Sequence, residues 1–132
     1  MLTAADRLDI LEVVTRADDA ATRRDAEAYV TFFTDDALLD GEKGEHHGRE
    51  QLRRAVGPIW ESEGTGSAHC TLNAVVTGVD GEPNHAIVTS QLMIVLNGTP
   101  VSIASFSFIT QHVVKVGSDW LIARRSVRPA AG

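Results

Sequence analysis

The sequence predicts an α+β domain in which a long N-terminal helix closes over a curved antiparallel sheet. Apolar residues recur at helical spacing over residues 4–23, strands rich in Thr and Val follow Gly66 with tight turns between them, and the helices precede the strands instead of alternating with them. A chain of 132 residues is the size of one domain, taken as residues 1–132. Its 43% hydrophobic and 23% charged content is that of an ordinary globular core and surface.

Thr3 is placed as the N-cap of the first helix, with Asp6 in its first turn. Ile10, Val13, Val14, Ala17 and Ala21 form one face, and Asp9, Glu12, Arg16, Asp19 and Arg23 the other. A second helix is predicted from Ala26 to about Phe33, then a short strand over Ala37–Asp40 and a turn over Gly41–Gly44. A third helix opens at Gly48 and runs to about Glu63, with Pro58 predicting a kink or break. Four strands follow, over Ser67–Val79, His85–Leu96, Val101–Val116 and Trp120–Val127. Asp80–Pro83, Asn97–Gly98 and Gly117–Asp119 are the turns, and Asn97–Gly98 is the strongest hairpin signal. The tail Pro129–Gly132 is expected to fray. Consecutive strands with short turns make an antiparallel meander.

The strands carry apolar residues on both faces. In Ser102–Thr110 one parity gives Ala104, Phe106 and Phe108, while the other gives Ile103, Ser105, Ser107 and Ile109. Helices can cover one face only, so the outer face is expected to be buried in a homodimer.

The net charge of −6 argues against a nucleic-acid backbone or an anionic membrane as partner. No basic segment leads into an apolar one at the N-terminus, and no apolar stretch is long enough to span a bilayer, so the cytoplasm is expected. The single Cys70 excludes an internal disulfide and is read as a small buried hydrophobe. His46 and His47 sit in a predicted loop that could form a pocket rim. Adjacent side chains diverge, so no metal site is expected there. Phe32, Phe33, Trp60 and Met93 are assigned to core or pocket wall. Arg124 and Arg125 alternate faces, so one of them faces inward. Either an ion pair at the surface or dimer contact, or a ligand carboxylate, would use it.

Several stretches, in this order and spacing, resemble the SnoaL-like branch of the NTF2-like (cystatin-like cone) superfamily. They are Ile10 with Val13–Ala21, Arg24–Tyr29, Phe33–Ala37, Gly48–Leu52, His69 with Asn73, and Asp119–Ile122. The resemblance implies a cone: a sheet wrapped around the long helix, leaving one deep, mostly apolar pocket. It also implies dimerisation through the outer sheet face. Relatives include polyketide cyclases, scytalone-dehydratase-like and steroid-isomerase-like enzymes, and many members of no known activity. The enzymes use acid–base chemistry without metal or organic cofactor, so none is expected here.

His69 is the leading candidate. Ser67, His69, Thr71 and Asn73 share one strand parity, and a polar stripe facing a pocket must be hydrogen-bonded. The position matches the acid–base His of dehydratase-like relatives; alternatively His69 donates to a buried carbonyl and only shapes the cavity. Thr22 stands where many relatives carry an Asp, and a hydroxyl cannot serve as a base near neutral pH. Asp18, one turn earlier on the same side, could supply the acid, or it is a solvated helix-edge carboxylate. The expected catalytic pair is thus His69 and Asp18, with Thr22, Asn73, Thr71, Ser107, Gln111 and Trp60 binding the ligand. Three functions remain open: a cofactor-free isomerase, cyclase or dehydratase acting on a small apolar oxygenated molecule; a non-catalytic binder of such a molecule; or a dimeric scaffold.

Overall fold

The computed structural model describes residues 1–129. The tail was expected to fray from Pro129, but Pro129 ends strand β6 and pairs with Ser107; the expectation for residues 130–132 lies outside the described residues. Three helices, α1 (Ala4–Thr22), α2 (Ala26–Thr31) and α3 (Gly48–Glu61), are set against six strands: β1 (Phe33–Gly41), β2 (Gly44–His47), β3 (Ala68–Val79), β4 (Glu82–Leu96), β5 (Ser102–Val116) and β6 (Asp119–Pro129). They form one curved sheet in the order β2-β1-β6-β5-β4-β3. The predicted α+β class holds. The sheet has six strands where a four-stranded meander and one short strand were expected.

Helix α1 begins as its sequence requires. Thr3 accepts from the Asp6 amide at 3.0 Å, and Asp6 accepts from the Thr3 amide at 2.9 Å, closing a capping box. The predicted stripe is the one buried: Ile10, Val14 and Ala17 are fully enclosed against β3 and β6. Arg24 then takes a left-handed backbone (φ 58°), which turns the chain sharply into α2, capped by Asp25.

The second helix stops at Thr31, short of the predicted Phe33, because β1 begins there. Phe33 pairs with Ile122, and the Ile122 amide donates to the Phe32 carbonyl at 2.8 Å. This β1–β6 pairing is parallel, which local sequence pattern could not show. Helix α3 continues through Pro58 without a break; the ring removes one amide donor in the last turns, where the helix is ending anyway. His46 and His47 lie in the short strand β2, not a loop. The Asn97–Gly98 signal falls in a longer connection, Asn97–Val101, rather than a two-residue hairpin.

Strand β3 contains the feature that places the site. Asn73 adopts a left-handed conformation (φ 52°), and the pairing to β4 shifts between Leu72 and Val75. This is a β-bulge, and Asn tolerates that backbone better than most residues. Before it, His69 and Thr71 point inward; after it, Ala74 and Val76 pack on the core. Asn73 itself is exposed and donates to Gln91 at 2.7 Å, so the expectation that it binds ligand is corrected.

The outer face carries the other parity. Phe106 and Phe108 are 44% and 49% exposed, and Ile103 on the same strand is exposed too. Met93 pairs with both Cys70 and Phe106 and therefore belongs to this face, not to the core or pocket wall. Cys70 is only partly buried there. Farther along, His85 and His112 are in contact at 2.9 Å. Burial, then His85 and Arg124, hold the His112 imidazole below its ordinary value. Among the described residues no helix is long and apolar enough to cross a membrane.

Candidate functional site

A cavity of about 470 Å³ opens between the helices and the inner face of the sheet. Its walls are mostly apolar: Leu39 of β1, Val56, Ile59 and Trp60 of α3, and Leu92 and Ile94 of β4. The rim includes Glu42, Lys43 and His46 from the β1–β2 turn and β2, where a rim was expected. Two polar pairs break the apolar wall, one between residues six apart across the α3–β3 connection and one between α1 and β6.

The first pair is His69 and Glu63. Their side chains are 6% and 11% exposed, and His69 Nε2 lies 2.7 Å from Glu63 Oε1. A carboxylate accepts only, so Nε2 carries a proton and donates, and Nδ1 makes no hydrogen bond among the described residues. The remainder of the ring packs edge-on to Trp60, with centroids 6.4 Å apart. The backbone of His69 is fixed as well: its amide donates to Thr22 Oγ1 at 2.8 Å. Glu63 is held by Arg24, whose Nη2 lies 3.7 Å from Oε1 and also donates to the Gly64 carbonyl at 2.9 Å and to Ser67 Oγ. Arg24 therefore pins the segment between α3 and β3 that delivers Glu63.

The second pair is Asp18 and Arg125, each with a side chain 4% exposed. Arg125 Nη2 donates to Asp18 Oδ1 at 2.9 Å, and Nη1 reaches Gln111 Oε1 at 3.4 Å. Asp18 Oδ2 accepts from Thr71 Oγ1. Burial opposes the charge on Arg125, but the Asp18 carboxylate and the hydrogen bond to it outweigh burial and raise its pKa. Burial pushes the Tyr29 phenol above its usual value; Arg125 opposes this and Asp18 adds to it.

The expected site is thus rearranged. Asp18 and His69 both line the cavity, but His69 is paired to Glu63 and not to Asp18. Asp18 is buried beneath the helix, not solvated at its edge, because β6 supplies a cation at that point. Arg125 is the arginine that faces inward, and its partner is internal, not at the surface; Arg124 turns outward to Asp40 at 3.2 Å. Ser107 and Trp60 line the cavity. Thr22, Thr71 and Gln111 stand behind the wall and bond to its members instead of facing a ligand. Glu63 was missed: it follows a helix end with no motif around it. Among the described residues no group of three or more His, Cys, Asp or Glu side chains is arranged to hold a metal ion.

The comparisons with known proteins agree with this architecture. A cystatin-like protein of unknown function from Nostoc punctiforme is 28% identical, with 99% of this chain and 96% of that one covered and a TM-score of 0.88. An NTF2-like protein from Novosphingobium aromaticivorans is 21% identical over 97% of this chain and 84% of that one, with a TM-score of 0.87. A Novosphingobium aromaticivorans protein provisionally named a scytalone dehydratase shares the fold at 18% identity, over 96% of this chain and 85% of that one, TM-score 0.80. No curated protein matches the sequence. The SnoaL-like domain signature matches residues 2–126, nearly the whole described cone, and the chain therefore belongs to the SnoaL-like family.

Proposed function

We propose that the cavity is a cofactor-free acid–base site of the isomerase, cyclase or dehydratase kind, acting on a small, mostly apolar, oxygenated molecule. The observation that carries this reading is the 2.7 Å contact between Glu63 and His69 inside an apolar cavity. Glu63 fixes the imidazole tautomer and stabilises the imidazolium that forms when Nδ1 takes a proton from carbon. The apolar walls lower the local dielectric, which strengthens that effect. Asp18, with both oxygens engaged, anchors Arg125 instead of acting as the second base.

The test is deuterium wash-in at the carbon beside the carbonyl, followed by mass spectrometry in D₂O, on a panel of bicyclic β-hydroxy ketones. The wild type is expected to accelerate exchange. His69→Gln should slow it by about 10²–10⁴-fold, the usual contribution of a positioned acid–base group. Glu63→Gln should slow it by less. Unaccelerated exchange of ketones that do bind would sink the catalytic reading. A non-catalytic small-ligand binder is the second reading, favoured by the full engagement of Asp18, which leaves one titratable pair facing the cavity.

We further propose that two copies join through the outer sheet face. Arg124 and Arg128 are already paired with Asp40 within the chain, at 3.2 Å and 2.8 Å, so Phe106, Phe108 and Ile103 present an apolar area that calls for no partner charge. A second copy of the same face is complementary to it. Light scattering at micromolar concentration should give a dimer mass, and Phe106→Glu with Phe108→Glu a monomer mass. A monomeric wild type would refute the interface.

A further inference from the structure

Arg125 is the cavity's one deeply buried guanidinium among the described residues, and its protein acceptors there are Asp18 Oδ1 and Gln111 Oε1. The second contact, at 3.4 Å, is long for a hydrogen bond. A guanidinium has further N–H donors beyond these two contacts, and among the described residues no Arg125 nitrogen is both fully enclosed and unpartnered. The surroundings hold the group in place rather than saturating it. Asp18 cannot swing away, because Thr71 holds its other oxygen. Gln111 is fully buried with its Nε2 unpartnered among the described residues, so its amide is kept turned with the oxygen toward Arg125. Tyr29 lines the same cavity, and burial keeps its phenol a neutral O–H donor that feels the charges of both Arg125 and Asp18. One cationic and one neutral donor thus share a mostly apolar cavity with His69.

We infer that Arg125 and Tyr29 form an oxyanion subsite, and that the ligand is an enolisable carbonyl compound whose oxygen takes up negative charge there. The inference rests on the acid–base reading of the cavity and names where the charge goes. His69 Nδ1 takes the proton, the C–H bonding pair becomes the new C=C bond, and the carbonyl π pair moves onto oxygen. That enolate oxygen accepts from the Arg125 guanidinium and the Tyr29 hydroxyl. Donors placed before the reaction, in a low-dielectric site, need no reorganisation when charge develops. The protein's own ion pair makes this possible, since Asp18 keeps the guanidinium protonated and fixed while both of its own oxygens are engaged by Arg125 and Thr71.

The test uses substituted phenols, whose phenolates mimic an enolate, against their methyl ethers, in absorbance titrations at a pH where the phenol is half ionised. The wild type is expected to bind the phenolate about ten- to a hundredfold more tightly than the ether, the range for a hydrogen bond to a charged group. Asp18→Asn combined with Arg125→Gln, which leaves no buried carboxylate unpaired, should lose that preference and keep the ether affinity. Tyr29→Phe, which keeps the aromatic packing, should lose part of it and serves should the double variant not fold. Equal affinity for phenolate and ether in the wild type, binding of neither, or a preference retained in the folded double variant would each overturn the subsite. Preference for benzoate over phenolate would overturn the enolate assignment. Phenolate binding needs no proton abstraction, so a chain that binds phenolate yet exchanges no deuterium fails the acid–base reading while keeping the subsite.

Discussion

Asp18→Ala is expected to destabilise the fold by about 3–5 kcal/mol, the usual loss when one partner of a buried ion pair is removed. The reason lies in what remains. Arg125, with a 4% exposed side chain, would keep its charge in a site where its nearest other acceptor is Gln111 at 3.4 Å. Thr71 would lose its acceptor as well. The loss is therefore the desolvation of an unpaired cation more than the value of the 2.9 Å contact. Asp18→Leu together with Arg125→Met removes both charges and keeps much of the volume, so it should recover most of the stability. Urea denaturation of the two variants decides the matter. A loss below about 1 kcal/mol for Asp18→Ala would mean that the pair behaves as a solvated surface bridge.

Phe33→Ala should cost about 3–5 kcal/mol, the range for truncating a buried aromatic. Phe33 is fully buried where α2 passes into β1, and its ring packs tilted against Tyr29 with centroids 4.9 Å apart, while Tyr29 meets Trp60 edge-on at 5.1 Å. Collapse into the vacated space is resisted from two sides. The Phe33 carbonyl accepts from Arg49 at 2.9 and 2.6 Å, and the neighbouring Phe32 carbonyl accepts from the Ile122 amide. The backbone is thus held by both α3 and β6 and cannot follow the lost ring. Phe106→Ala, 44% exposed in the single chain, is the control and should change monomer stability little. Equal losses for the two substitutions in thermal unfolding would contradict this placement of the core.

Local periodicity made the skeleton legible. The stripe from Ile10 to Ala21 states which face of α1 is buried, and Thr3 states where α1 starts. The alternation of Arg124 and Arg125 showed that one arginine must face inward, but not which. What escaped was non-local. No local pattern reveals that β1 runs parallel to β6, since its partner lies across the whole domain. Glu63 and His69 meet across the connection after α3, which Arg24, just past the end of α1, ties down. Asn73 misled for a different reason: strict alternation puts it beside His69 and Thr71, and one left-handed residue cancels the alternation.

That single residue has a consequence for how the domain can change. An extra, unpaired position in a strand acts like a frameshift in a repeating pattern, resetting which side every later residue faces. β3 is therefore two segments in different phase. The first supplies His69 to the cavity and Thr71 to the Asp18 carboxylate behind its wall, and the second supplies Ala74 and Val76 to the core under α1, whose Arg7 donates to the Val76 carbonyl at 2.9 Å. Residues ahead of Asn73 can be exchanged to suit a new ligand while the seat of the long helix is left untouched.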